Sequence, residues 1–130
     1  MRQELDEALV RDFPMLYSGR RGDPRNTLMC FGFECSDGWE PLIRELSAKL
    51  EALIGQLPEG ERAQYNAIQV KEKFGGLRFY LSRGTDEMFD LTNEAESASY
   101  KVCEGCGAPG TRRTGGWIRV LCDACESKKD

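Results

Sequence analysis

Four of the six cysteines stand in two pairs, Cys103-x2-Cys106 and Cys122-x2-Cys125, with fifteen residues between the pairs. That spacing matches two knuckles that each present two thiolates to a single ion. Thiolate sulfur lies about 2.3 Å from zinc, so two such knuckles close a tetrahedron and leave no position for water or substrate. The expectation is one structural zinc per chain, held by Cys103, Cys106, Cys122 and Cys125. An iron–sulfur cluster uses the same ligands and stays open on spacing alone. Disulfides and a thioredoxin-like redox pair fit less well, because no strand–helix–strand context surrounds either pair and the chain reads as cytosolic. Gly105 and Gly107 flank the second ligand, where a knuckle needs unusual backbone angles and amides close to sulfur. Cys30 and Cys35 flank an apolar stretch and read as reduced core or loop thiols.

Composition narrows the chemistry further. The 130 residues contain no histidine, which removes Ser-His-Asp and Cys-His machinery, a histidine-rich catalytic zinc site and a histidine pH switch. No paired carboxylates stand where they would hold a catalytic metal, so no enzyme is expected. Forty per cent hydrophobic and 31% charged residues are ordinary for one folded domain of this length. No apolar run approaches the ~18 residues that would span a bilayer, and the first residues, MRQELDEALV, do not read as a signal peptide. The expected location is a bacterial cytoplasm. The formal charge is −4, with the basic excess confined to residues 101–130. Four thiolates and one zinc ion would take the total to about −6, which disfavours nonspecific DNA binding.

Several elements must carry these groups. An amphipathic helix is expected over 2–12, through Leu5, Ala8, Leu9 and Asp12, ending before Pro14. SGRRGDPRN at 18–26 is loop chemistry, and TLMCFGFEC at 27–35 reads as a strand weakened by Gly32. A helix over 39–57 opens on a capping box of Asp37 and Glu40 with Pro41 in its first turn. It buries Trp39, Leu42, Ile43, Leu46, Leu50, Leu53, Ile54 and Leu57. A hairpin over 67–83 alternates apolar and polar residues about a Gly75-Gly76 turn. In that register Phe74 faces Leu77, Val70 faces Leu81 and Glu72 faces Phe79. Glu72 is then the odd carboxylate on an apolar face. A weaker helix over 86–100 leads into the cysteine-rich segment. There Arg112–Thr114 and Trp117–Leu121 can form a hairpin around Gly115-Gly116. The predicted class is α+β: a helix and hairpin body over 1–100, then a four-cysteine zinc ribbon over 101–130. The second part becomes treble-clef-like if a helix begins after Cys122.

Three surfaces could meet a partner. Arg20, Arg21 and Arg25 in the first loop could clamp phosphate or an acidic group. Lys71, Lys73, Arg78 and Tyr80 form the basic face of the hairpin. Arg112, Arg113, Trp117 and Arg119 give the cysteine-rich hairpin a basic, aromatic surface. Each could equally be ordinary solvent-facing charge.

The chain resembles a family of small proteins encoded by tailed phages and prophages. The resemblance is carried by PMLYSGRRGDPRNTLMCFGFECSDGW at 14–39, VKEKFGGLRFY at 70–80 and CEGCGAPG with GGWIRVLCDAC between 103 and 125. It implies a compact α+β domain followed by a zinc-binding segment, in a virus-derived gene. The functional expectation is a non-enzymatic accessory protein that binds a host or phage protein, a defence or nuclease complex included. The alternative is a nucleic-acid-binding or transcription-associated zinc module. Neither a membrane nor a small-molecule substrate is expected.

Overall fold

The apolar stripe that follows Trp39 forms the central helix of a computed structural model describing residues 1–128. This helix, α2, spans Glu40–Gly55 and follows α1 (Gln3–Asp12) and a two-residue strand, β1 (Phe33–Glu34). Strands β2 (Ala67–Lys73) and β3 (Gly76–Leu81) come next, then helix α3 (Asp86–Ser99). A small hairpin, β4 (Thr111–Arg113) and β5 (Arg119–Leu121), and the short helix α4 (Asp123–Lys128) complete the order. Among the described residues no helix is long and apolar enough to cross a membrane.

The first sheet has the order β1-β2-β3, with β1 parallel and β3 antiparallel to β2. Parallel neighbours need a long crossover, and α2 supplies it between β1 and β2. Ile43, Leu46, Leu50 and Ile54 recur at helical spacing on the buried face of α2. They share one core with Leu9, Tyr17, Phe33, Val70, Leu77 and Met88. Tyr17 meets Phe33 edge-on at 5.0 Å between ring centroids, and its hydroxyl shares a 2.6 Å hydrogen bond with Ser47. That bond satisfies two polar groups that burial would otherwise penalise.

The α+β class with its clustered cysteines is the observed one. Four local expectations are corrected. The 27–35 segment is not one strand: a 3-10 turn occupies Met29–Phe31, Gly32 adopts φ +76°, and only Phe33–Glu34 pair with β2. An added Cβ at Gly32 would lie 2.6 Å from Oδ2 of Asp6, so the glycine is needed for space as well as angle. In α1 it is Asp6, rather than Asp12, that turns inward; Asp12 is exposed and pairs with Arg44 at 2.8 Å.

The Asp37–Glu40 capping box does not form. Trp39 caps α2 without a side-chain hydrogen bond, Asp37 accepts from the Arg2 backbone N–H at 2.7 Å, and Glu40 pairs with Arg44. The hairpin turns on Phe74-Gly75 rather than Gly75-Gly76. Val70 therefore faces Phe79, Glu72 faces Leu77 and Lys73 faces Gly76. Phe74 (φ 54°) and Gly75 (φ 88°) are both left-handed, the geometry of a two-residue turn that matches strand twist. Gly76 lies inside the strand, packed so closely on the Tyr100 ring and hydroxyl that a Cβ there would clash. From Gln69 to Tyr80 the register moves by an even step, so these residues keep their faces. An irregularity between Ala67 and Gln69 breaks the alternation and leaves Ala67 buried and Ile68 only partly so.

Candidate metal centre

The first knuckle follows α3 directly. The Cys103 N–H donates to the Ala108 carbonyl at 2.7 Å, and the Gly107 N–H returns to the Cys103 carbonyl at 2.8 Å. Gly107 takes φ +86°, which closes this loop, and a Cβ on Gly105 would stand 3.1 Å from Sγ of Cys125. Both glycines thus serve the needs expected of them. The second knuckle places Cys122 just before α4 and Cys125 within it, where the Cys125 N–H donates to Sγ of Cys122 at 3.4 Å. The hairpin between the pairs and the helix after Cys122 give the treble-clef-like form.

The four Sγ atoms lie within 4.8 Å of one another, with Cys106 and Cys122 3.6 Å apart, and all four cysteines are free. A tetrahedron of sulfurs around zinc has edges of about 3.8 Å, so the donors are already spaced for an ion. Burial works against a Cys103 thiolate. Amides of the knuckles and the neighbouring Cys125 thiol outweigh it and bring Cys103 down to about 6. The other thiols of the cluster hold Cys125 up at about 12, so protons and a metal ion compete for the same sulfurs. These four residues could hold a metal ion. Bound there, zinc would supply a fixed cross-link between the knuckles.

The centre is seated on the body through residues that spacing did not single out. The Gly38 N–H donates to the Glu104 carbonyl at 2.7 Å, and the Ser36 N–H to Oε2 of Glu104 at 2.9 Å. Nε1 of fully buried Trp39 donates to the Val102 carbonyl at 2.9 Å. Glu104 is 4% exposed, and its other oxygen faces the Arg119 guanidinium at 3.5 Å. Lying inside the CxxC, Glu104 could have been suspected only from an acid between two ligands. Gly38, in the DGW turn, carried no such signal. Cys35, buried beside Glu104, has its thiol pushed up to about 12, first by burial and then by that carboxylate.

The basic candidates are dispersed over several contacts. Arg20 donates to Asp6 at 3.2 Å and to the Cys30 carbonyl at 3.0 Å, bracing the turn before β1; Arg21 stands exposed beside it. Arg25 pairs with Asp23 within its own turn. Arg78 meets Glu96 at 2.8 Å, opposite half-buried Lys71. Tyr80 is 42% exposed. Lys73 lies over the Phe74 ring. Arg113 bonds the Leu121 carbonyl and Asp123, Arg119 pairs with Glu104, and Arg112 donates to the Phe74 carbonyl at 3.1 Å. Among the described residues Glu72 neither pairs with an arginine nor caps a helix: its Oε2 accepts the Gly75 N–H at 2.7 Å and so caps the hairpin turn.

Arg112 also ties the two hairpins together. Gly75 packs on Ile118, where an added Cβ would be 3.3 Å from Cγ2. The turns at Phe74 and Trp117 consequently lie side by side and line one depression. No family model, no curated protein and no solved structure matches the chain.

Proposed function

We propose that this chain is a non-enzymatic accessory protein of phage or prophage origin that binds a macromolecular partner. In this reading zinc holds the second hairpin in place. The favoured partner is a host protein, a defence or nuclease complex included, in a bacterial cytoplasm. Phage origin rests on the resemblance of the three sequence blocks; zinc rests on the four-thiolate donor set.

One observation carries the binding reading: Trp117 and Phe74 are 74% and 60% exposed on adjoining hairpin turns. Single exposed rings are ordinary, whereas grouped ones mark interaction surfaces. The nucleic-acid reading draws on Lys71, Lys73 and Arg21, which have no carboxylate within ion-pair distance among the described residues. Arg20, Arg25, Arg78, Arg113 and Arg119 each have one.

The test is affinity purification of the zinc-loaded chain from host lysate, with metal analysis of the same preparation. One zinc per chain and one stoichiometric protein partner, lost on Trp117→Ala, is the expected result. Failure to recover any partner with folded, zinc-loaded protein would overturn the protein-binding reading. A salt-sensitive gel shift weakened by Lys71→Ala, Lys73→Ala or Arg21→Ala would establish the nucleic-acid reading instead.

A further inference from the structure

Two adjoining depressions, with volumes of about 700 and 340 Å³, share Glu72 and Trp117. The larger is walled by Glu34, Ser36, Glu104, Arg119 and Gly115, and the smaller by Phe74, Ile118 and Lys73, whose ammonium lies over the Phe74 ring. Its charges are not balanced. Arg119 is committed to Glu104, a carboxylate 4% exposed whose Oε1 has no hydrogen bond and only the guanidinium 3.5 Å away. Glu34 receives one long contact from Gln69 at 3.4 Å, and Glu72 accepts only the Gly75 N–H. Neither has an ion-pair partner among the described residues.

The aromatic rim is divided in the same way. Phe74 already carries a cation, because Nζ of Lys73 lies 5.8 Å from its ring centroid. No cation lies over Trp117 among the described residues, although it is the more exposed ring and the better cation acceptor. An open indole beside two unpaired carboxylates is suited to a guanidinium or ammonium group. It is equally unsuited to a phosphodiester, which Glu34, Glu72 and Glu104 would repel.

We infer that this cleft receives an arginine- or lysine-bearing segment of a partner protein, the cation stacking on Trp117 and pairing with Glu34 and Glu72. The inference rests on the protein-binding reading and specifies its chemistry. It also gives the metal centre a purpose: Trp117 belongs to the cysteine-rich hairpin and Glu34 and Glu72 to the body, so seating one on the other completes the cleft.

The test is an amide NMR titration of the zinc-loaded, full-length chain with an acetylated and amidated Gly-Arg-Gly-Arg-Gly peptide. Parallel titrations use the citrulline version and oligothymidylate. The expected result is a saturable shift of the Trp117 indole N–H and of the Gly115 and Gly116 amides. Binding should be roughly tenfold weaker with citrulline or in Glu34→Gln/Glu72→Gln, for loss of the charge interactions. Glutamine at 72 keeps an acceptor for the Gly75 N–H, and an unchanged spectrum elsewhere verifies the fold. Equal binding of the citrulline peptide, no saturation with arginine, or stronger binding of oligothymidylate overturns the inference. In the lysate experiment, a partner retained by Glu34→Gln/Glu72→Gln overturns the cleft and leaves the wider reading standing. Saturable, charge-dependent peptide binding without a captured partner does the reverse.

Discussion

The Gly38 N–H donates to the Glu104 carbonyl at 2.7 Å, and a Cβ on Gly38 would lie 2.2 Å from the Cys103 carbonyl oxygen. The turn before the central helix and the first metal knuckle are thus in backbone contact, with no side chain between them. The cysteine-rich segment has few apolar residues of its own, yet Cys103, Glu104, Val120 and Leu121 are buried. This seat gives the segment a fixed place on the body, and a metal ion held by the four cysteines would add a second constraint.

Replacing Gly38 with alanine tests the seat. The groups in the way are the backbone carbonyls of Cys103 and Glu104, which cannot rotate aside as a flexible side chain would. Gly38→Ala should cost about 1–3 kcal/mol, as overpacking does elsewhere. Because the knuckle itself must shift, zinc affinity should fall as well. Urea unfolding with and without added zinc checks both, and a wild-type midpoint would show that the contact is dispensable.

Metal retention should depend on pH in a definite direction. Zinc binds thiolates, so each ligand must lose a proton and acid opposes binding. The folded-state value for Cys103, about 6, lies below its ordinary 9.0. Its ionised form is therefore favoured by the fold above about 6, and that contribution is lost as pH falls through this value. Lowering the pH should therefore release zinc, read as its appearance in a colorimetric chelator assay, and raising the pH should restore binding. Stripping the metal at pH 7 should shift tryptophan emission to the red as buried Trp39, which donates to Val102, becomes wet. Emission unchanged by complete removal of zinc would mean that the seat survives without it.

The two cysteines outside the metal cluster should differ in reactivity. Cys35 is 8% exposed, and its thiol is pushed up to about 12, whereas Cys30 is only partly buried. Reactivity follows thiolate and access, so Cys35 should resist alkylation in the native, zinc-loaded chain. Mass spectrometry after a brief iodoacetamide pulse at pH 8 should find modification first at Cys30. Modification of Cys35 at a comparable rate would contradict the buried, protonated thiol.

What the sequence disclosed follows periodicity and spacing. The stripe from Ile43 to Ile54 repeats at helical intervals, and the cysteine pairs have a ligand spacing, so helix α2 and the metal centre could be read directly. The seat could not. Gly38 matters only because Cys103 and Glu104, 65 residues or more away, press against it in space. Asp6 was likewise hidden, since an acid on a helix normally faces water. Here its carboxylate accepts from Arg20 and from the Phe33 N–H, supporting the turn that interrupts the expected strand. The hairpin register was missed because two glycines in a row offer two turns. The structure places the turn on Phe74-Gly75 and leaves Gly76 in the strand, against the Tyr100 hydroxyl where a side chain would not fit.

That choice of turn puts Phe74 in an unusual position. It is a bulky residue at φ 54°, and 60% of it remains in water, so neither its backbone nor its burial favours it there. Left-handed backbone costs an ordinary residue roughly 1–2 kcal/mol, and asparagine tolerates it better. Phe74→Asn would give the Asn-Gly pair preferred in such two-residue turns. It should therefore raise the melting temperature, by about 2–6 °C for a gain near 1 kcal/mol in a domain of this size. The same substitution removes one ring from the rim of the cleft and the seat of Lys73. Arginine-peptide binding should weaken by about two- to fivefold, as expected for losing a peripheral aromatic contact, while zinc retention is unchanged. Greater stability with weaker binding would identify Phe74 as a residue kept for its surface at the expense of the turn. If the variant is less stable than the parent, the ring contributes to folding and the strain argument fails.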